Sequence, residues 1–564
     1  MLRNPSSSPL AESAVLVATH LRVERAGAAV LADVSLKVAP TSRVGVIGPN
    51  GVGKSTLLAV LAGQLEFVSG SRTLDPPRAS IGYLAQEHEQ RSESVHEFLA
   101  RRTGIADADF HLREAAALLA SNTAAAIERY DVALARFEAL GAGTFDARAS
   151  SALGELGVPG VLDAPMSSLS GGQEAKVALA AIELSRYDIV LLDEPTNDLD
   201  FEGLARLEEW IARRVGGLVV VSHDRSFLER TVSSVLEIDE HSRTAREYGG
   251  GWLGYVRERA HALRRAREAY EDYAATKQEL SARAQRQRQW AVVGVKNEKK
   301  NPRDHDVAQR DFRINRTEKL AAKARQSERA LERLEEVDKP FEGWDLHFSI
   351  DETKRSGDVV VRLDDVVVER GSFRLGPITQ EIVFGERIAL TGVNGSGKST
   401  LISILLGDLT VHTGTRTMGP GVVVGTLGQD RRALSVERDT VRFVSDRCQL
   451  DLAATRSLLA KFALGASDVT RPPSTLSPGQ RTRVELAIFQ SLGVNLLVLD
   501  EPTNHLDLPA IEQLEVALSH FTGTLVLTSH DRRLLESMDF SRTWQMSEGR
   551  LREDLASVRP GRIR

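Results

Sequence analysis

Five short motifs occur twice in this chain, in the same order. Gly48-Pro49-Asn50-Gly51-Val52-Gly53-Lys54-Ser55-Thr56 returns as Gly392-Val393-Asn394-Gly395-Ser396-Gly397-Lys398-Ser399-Thr400, and Gln86 returns as Gln429. Leu169-Ser170-Gly171-Gly172-Gln173 returns as Leu476-Ser477-Pro478-Gly479-Gln480, Leu192-Asp193-Glu194-Pro195-Thr196-Asn197 as Leu499-Asp500-Glu501-Pro502-Thr503-Asn504, and Ser222-His223-Asp224 as Ser529-His530-Asp531. An ordered duplication of this kind means one domain type present in two copies, and 564 residues are enough for two cores.

The distance between copies locates what is not repeated. It is 344 at the first motif, 343 at the glutamine and 307 from the third motif onward, so the first half holds 36 extra residues between Gln86 and Leu169. Within that interval 107–140 is rich in Ala and helix-prone, with Ser121-Asn122-Thr123 as a turn and cap, which predicts a two-helix insertion. Between the halves, 255–337 is nearly all helix former, with apolar residues near heptad spacing. Gly294 and Asn301-Pro302 predict a break around 294–311, hence two long helices joined at a tip, the first (255–290) extending ~54 Å. The expected organisation is a first domain at 1–250 with a helical arm at about 105–141, a helical linker at 251–340, a second domain at 341–551 and a tail at 552–564.

Charge is unevenly spread along this plan. The whole chain is formally −6, which by itself points to no nucleic-acid partner. Residues 281–325, however, carry 13 Lys/Arg against 5 Asp/Glu. The single cysteine, Cys448, excludes a disulfide framework and a cysteine-rich zinc site and suits a reducing compartment. No run approaches the roughly 18 apolar residues of a membrane span, and 1–9 lacks the apolar stretch of a signal peptide. A cytoplasmic location is expected.

The motifs specify phosphate chemistry. Val44-Gly45-Val46-Ile47 reads as a buried strand entering a Gly-rich loop that opens a helix at Lys54. Such a loop turns its backbone amides inward around phosphates; Lys54 would reach the β- and γ-phosphates and Ser55 would ligate magnesium. Ile388-Ala389-Leu390-Thr391 with Lys398 and Ser399 repeats the pattern. Two apolar strands end in Asp-Glu, placing carboxylates where parallel sheets bind ligands. Asp193 and Asp500 suit the magnesium shell, and Glu194 and Glu501 suit polarisation of an attacking water. His223 and His530 end further buried strands and are candidates for a γ-phosphate contact. Ser170, Gly171, Gly172 and Gln173 open another helix, as do Ser477, Gly479 and Gln480. A second phosphate-binding helix start in each domain is explained economically if it caps the ATP of the other domain.

These motifs resemble those of ATP-binding-cassette ATPases over nearly the whole chain. The resemblance implies α/β architecture: two tandem P-loop nucleotide-binding domains joined by a long helical hairpin, sandwiching two ATP molecules with Mg2+ head to tail. It implies one site built from Gly48–Thr56, Gln86, Asp193, Glu194 and His223 with Ser477 and Gly479, and another from Gly392–Thr400, Gln429, Asp500, Glu501 and His530 with Ser170 and Gly172. It implies that Gln86 and Gln429 join Ser55, Asp193, Ser399 and Asp500 around the metals.

The lack of a membrane span, the arm and the charged linker are similar to the ABC-F branch. That resemblance implies a ribosome partner, with the linker near 23S rRNA and peptidyl-tRNA. Lys296, Lys299, Lys300, Arg303, Arg310, Arg313 and Arg316 are placed to meet phosphates. It also implies a monomer whose cassettes pair within the chain. The functions implied are antibiotic resistance by ribosome protection or, alternatively, a housekeeping translation factor. An ATPase subunit for separate membrane partners would leave the basic linker unexplained. Three departures stand out. The first D-loop reads Asn197-Asp198-Leu199-Asp200, whereas the second has His505 in Asn504-His505-Leu506-Asp507. Val23-Glu24-Arg25-Ala26-Gly27 and Val368-Glu369-Arg370-Gly371 lack the family's usual adenine-stacking aromatic, so an arginine plane is the expected substitute. Pro478 replaces a glycine of the second signature loop.

Overall fold

The computed structural model describes residues 14–25, 27–77, 79–84, 92–169, 171–197, 199–300, 322, 326, 329–331, 333–334, 355–371, 373–427, 437–504 and 506–554. The chain divides into two compact units, one formed by 1–254 with 344–564 and the other by 255–343.

The first unit contains both cassettes, each with the same two sheets. In the first cassette β1 (Val15–Arg25), β2 (Ala28–Val38) and β4 (Ser69–Asp75) form an antiparallel sheet in the order β2-β1-β4. β3 (Arg43–Ile47), β5 (Ile81–Leu84), β6 (Ile189–Asp193), β7 (Gly217–Val221), β8 (Ser234–Ile238) and β9 (Ala245–Gly249) form a second sheet in the order β5-β6-β7-β3-β8-β9, parallel except at β9. The second cassette repeats this with β10 (Val359–Arg370), β11 (Phe373–Val383) and β13 (Thr413–Met418) in the order β11-β10-β13. Its larger sheet holds β12 (Arg387–Gly392), β14 (Val424–Leu427), β15 (Leu496–Asp500), β16 (Thr524–Thr528), β17 (Arg542–Ser547) and β18 (Arg550–Asp554) in the order β14-β15-β16-β12-β17-β18. The sequence dictates this layering. β6 and β7 are buried at every residue, as expected for unbroken apolar runs covered by helices on both faces. One core joins Leu57, Leu58, Val60 and Leu61 of the helix Lys54–Ala62 to Ile189, Leu191, Val219 and Val221 of the sheet. β3 and β12 therefore point their C-terminal ends, and the glycine loops that follow, at one edge of each sheet.

The insertion in the first cassette consists of helices Ile105–Leu118 and Ala124–Ala139, the second capped by Thr123, whose hydroxyl accepts from the Ala126 amide. Two expectations are corrected. The helix entering the linker runs unbroken from Gly251 to Lys300, straight through Gly294, so it spans ~75 Å rather than ~54 Å. One glycine costs a helix about 1 kcal/mol relative to alanine, which a 50-residue cooperative helix absorbs. The second cassette also extends past 551: β18 pairs with β17 as far as Asp554, and Glu553 holds Arg542 at 2.5 Å. Among the described residues no helix is long and apolar enough to cross a membrane.

Candidate nucleotide sites

Each glycine loop is curled by its own lysine. Lys54 Nζ donates to the carbonyls of Gly48 (2.8 Å) and Pro49 (3.2 Å); Lys398 Nζ donates to those of Gly392 (2.7 Å) and Val393 (3.3 Å). Gly48 and Gly392 have φ of 149° and 145°, and a Cβ there would lie 2.8 Å from the Ile238 carbonyl oxygen and 2.3 Å from that of Met546. Only glycine fits this close approach of loop to sheet. Burial lowers the pKa of both lysines. It is opposed by Glu194, Asp507 and Asp193 around Lys54, and by Glu501, Asp200 and Asp500 around Lys398.

The Asp-Glu ends of β6 and β15 face these loops. Glu194 and Glu501 stand at φ 50° and 48°, a left-handed conformation that non-glycine residues avoid. Their amides donate back to the carbonyls of Val221 (3.0 Å) and Thr528 (3.1 Å) on the neighbouring strands, which turns the glutamate side chains out of the sheet. Burial raises the Glu194 pKa to about 7. His223 Nε2 lies 3.2 Å from Glu194 Oε1, and His530 Nε2 lies 3.3 Å from Glu501 Oε1. Both imidazoles are neutral: burial, then the nearby Lys54 or Lys398, lowers their pKa to about 3 and about 4. The histidine–glutamate contacts are too misaligned to be hydrogen bonds, and neither ring nitrogen of either histidine makes one among the described residues. Two buried neutral rings without partners, beside a curled glycine loop, a lysine and two carboxylates, fit a ligand that brings phosphate oxygens and a hard cation. Ser55 and Ser399, second residues of their helices, with Asp193 and Asp500, supply the oxygen donors magnesium prefers.

The cassettes meet at these sites. A Cβ on Gly172 would lie 2.9 Å from Asn394 Cβ, so the first signature loop lies against the second glycine loop. A cavity of about 730 Å³ is lined by Gly172 and Glu174 of one cassette and by Arg370, Lys398, Glu501 and His530 of the other. The Ser477 hydroxyl accepts from the Gln480 amide, while Gln480 Oε1 accepts from the Ser477 amide, so this pair caps its own helix, Pro478–Leu492. Gln173 lies in the helix Gly171–Leu184, which starts at the signature glycines themselves. Gln86, Gln429 and Ser170 lie outside the described residues, as do Asp198, His505, Arg303, Arg310, Arg313 and Arg316.

Several residues of the site had no role assigned from sequence. Asp200 caps the helix Phe201–Arg213 through Oδ1, 3.0 Å from the Gly203 amide, and accepts the Asn394 amide across the interface on Oδ2 at 3.1 Å. Asp507 does the same for Ala510 and, across the interface, Asn50, both at 3.1 Å. Phe201 packs edge-on against His530, its ring centroid 5.3 Å away. Phe373 pairs with Arg370 across the β10–β11 hairpin, so this aromatic ring lines the second-site cavity beside the arginine; at the matching place in the first cassette Arg25 pairs with Ala28. Phe373 reaches this place from the start of β11 rather than from the stretch that ends at Gly371. The partners of these reciprocal aspartates could not be found from spacing, because they sit 457 and 194 residues away.

Known proteins fit this geometry. A family described as ABC transporter matches residues 31–197 and 375–504. The tylosin resistance ATP-binding protein TlrC of Streptomyces fradiae is 34% identical over 521 residues, 90% of this chain and 92% of that one. The energy-dependent translational throttle protein EttA of Mycobacterium tuberculosis is 31% identical over 517 residues, 90% of this chain and 87% of that one. Among solved structures, an RNase-L inhibitor superposes with a TM-score of 0.55 at 18% identity, covering 94% of this chain and 90% of its own, which speaks for the shared fold.

Proposed function

We propose that this chain, which belongs to the ABC-F family of ATP-binding-cassette ATPases, acts on the ribosome in the cytoplasm and protects it from an antibiotic of the large subunit. The observation that carries the ribosome reading is the linker. Its first helix is 50 residues long, and the segment 281–325 holds 13 Lys/Arg against 5 Asp/Glu in a chain that is otherwise acidic. A long, positively charged helix suits contact with the phosphates of rRNA and tRNA. The protection reading is supported by the likeness to a tylosin resistance protein along nearly its full length.

ATP hydrolysis proceeds from the side chains described. The glycine loops with Lys54 and Lys398 hold the β- and γ-phosphates. Ser55 with Asp193, and Ser399 with Asp500, would hold magnesium, with Gln86 and Gln429 as further candidate ligands, and the cation would neutralise charge on those phosphates. Glu194 and Glu501 orient the attacking water, and their buried setting favours taking its proton. Neutral His223 and His530 each donate one ring N–H toward the γ-phosphate without adding a full charge. Gly172 and the Ser170 loop complete the site at Lys398, and Ser477 and Gly479 complete the one at Lys54. ATP therefore holds the cassettes paired within one chain, and hydrolysis lets them part and releases the ribosome.

The test is sedimentation. A Glu194→Gln/Glu501→Gln variant is expected to pellet with ribosomes in ATP and to remain in the supernatant in ADP, and expression of the wild-type chain is expected to raise tolerance to a macrolide. Ribosome binding without drug tolerance across macrolides, lincosamides and pleuromutilins would leave a translation factor resembling the throttle protein. Recovery with membranes instead of ribosomes would overturn the proposal.

A further inference from the structure

Among the described residues a hydroxyl steadies each metal-site aspartate, and the two cassettes deliver it from opposite neighbouring strands. In the first cassette Tyr83 Oη donates to Asp193 Oδ2 at 3.1 Å. Tyr83 sits on β5, the outermost strand, on one side of β6. On the other side, the residue registered with Asp193 is Val221 of β7, which has no hydroxyl. In the second cassette the arrangement is reversed. Thr426 of β14 stands where Tyr83 stands, with its short side chain exposed. The residue registered with Asp500 is Thr528 of β16, fully buried, whose hydroxyl lies 2.6 Å from Asp500 Oδ1. The pairs Tyr83/Val221 and Thr426/Thr528 are thus complementary: among the described residues the hydroxyl that meets the aspartate comes from the β5 side in the first cassette and from the β16 side in the second.

The two hydroxyls are not equivalent. Thr528 also accepts the Glu501 amide at 3.0 Å, so one buried side chain ties the orientation of the Asp500 carboxylate to the backbone of the neighbouring glutamate. A threonine inside a paired strand has one rotatable bond and little room. Tyr83, by contrast, reaches Asp193 with a long side chain from the edge strand, two residues ahead of the 85–91 segment that holds Gln86. Carboxylates that bind metal through defined oxygens lose affinity when the group orienting them is removed.

We infer that Thr528 and Tyr83 are non-equivalent positioning residues for Asp500 and Asp193, so that the two nucleotide sites take up their divalent cation under different control. The inference rests on reading Asp193 and Asp500 as metal-binding carboxylates. Thr528 fixes metal and glutamate together at the second site, whereas Tyr83 makes metal binding at the first site depend on the edge strand β5.

The experiment titrates Mn2+ by electron paramagnetic resonance with a non-hydrolysable ATP analogue, in full-length protein with the other site silenced by Lys54→Ala or Lys398→Ala. Thr528→Val, the residue the first cassette carries, is expected to raise the Mn2+ concentration for half-occupancy of the second site about tenfold. It is expected to leave metal-free nucleotide affinity and the first site unchanged, and Thr528→Ser is expected to restore the wild-type value. Tyr83→Phe is expected to do the same at the first site only. Asp500→Asn serves as the control. If Asp500→Asn weakens Mn2+ binding and Thr528→Val does not, the inference is overturned while the site assignment stands; if Asp500→Asn leaves Mn2+ binding intact, the site assignment itself fails. Failure of Thr528→Ser to restore binding, or an equal drop in metal-free nucleotide affinity, would mean the threonine only packs the strand and would also overturn the inference.

Discussion

Asp224 and Asp531 follow the switch histidines, occupy equivalent positions in the two cassettes and lie close enough to repel. Burial first, then the charge of Asp531, raises the Asp224 pKa to about 6, against the opposing pull of Arg532 and of the Phe227 and Ser226 amides. Its folded-state pKa thus exceeds its unfolded value of 3.8, so the folded chain binds this proton more tightly. The sign follows: the stabilisation from protonated Asp224 is complete below about pH 4 and is lost as pH rises through about 6, at a cost on the order of 2–3 kcal/mol. Asparagine mimics the neutral acid and keeps the acceptor that caps the helix Arg225–Thr231 through the Phe227 amide at 2.9 Å. Asp224→Asn is therefore expected to melt above wild type at pH 7 and to converge with it toward pH 4, as read by thermal unfolding at a series of pH values. Parallel curves would show that this carboxylate is not protonated preferentially in the fold. The glutamates and histidines of the motifs were legible in sequence because each ends an apolar strand. Asp224 was visible there only as part of a motif, since the charge it meets comes from the other half of the chain.

Among the elements, the short helices Arg225–Thr231 and Arg532–Ser537 bring the two cassettes together through reciprocal ion pairs. Arg225 grips Glu515 with two arms, Nη1 standing 2.9 Å from Oε2, and Arg532 meets Glu208 at 2.9 Å. The pairs are related by the same 307-residue offset as the motifs, so one interaction is made twice about a pseudo-two-fold axis. They differ in depth: the Arg225 side chain is 6% exposed, that of Arg532 18%. Removing Glu515 leaves the buried Arg225, among the described residues, only Asp531, 4.0 Å away, at up to about 3–5 kcal/mol, whereas the partly solvated Arg532 pair is screened toward the roughly 0–1 kcal/mol of a surface pair. Glu515→Ala is expected to lower stability by roughly 3 kcal/mol in urea unfolding and Glu208→Ala by about 1 kcal/mol; equal losses would refute the difference in burial. Most secondary structure was readable from apolar runs and caps, including the Thr123 cap of the arm. The continuity of the helix Gly251–Lys300 was not, because a rule that weighs Gly294 locally ignores the 50 residues over which its cost is shared.

For the whole molecule the proposal joins two charge systems: a nucleotide machine that is acidic overall and a linker that is basic where it would meet RNA. Replacing Lys296, Lys299, Lys300 and Arg303 by glutamine takes away up to four cations that would neutralise phosphates. The slope of log affinity for ribosomes against log salt is expected to flatten, by about 0.7–0.9 for each phosphate left unneutralised. ATP affinity is expected to stay unchanged, because the nucleotide sites lie in the other compact unit of the chain. An unaltered slope in filter binding across a salt series would remove these side chains from the interface. By itself the sequence determined the duplicated fold, the phosphate loops, the Asp-Glu strand ends and the histidines, because each is a local conformation written in adjacent residues: glycines that permit a tight turn, apolar runs that must be buried, a helix start that attracts anions. Tertiary structure alone decided that Asp507 holds the Asn50 amide, that Gly172 lies on Asn394, that Phe373 joins Arg370 in lining the second-site cavity, and that Asp193 and Asp500 take their hydroxyls from opposite strands. Those pairings join residues tens to hundreds of positions apart, and the order of strands in a sheet and the packing of one cassette on the other, rather than any spacing along the chain, bring them within hydrogen-bonding distance.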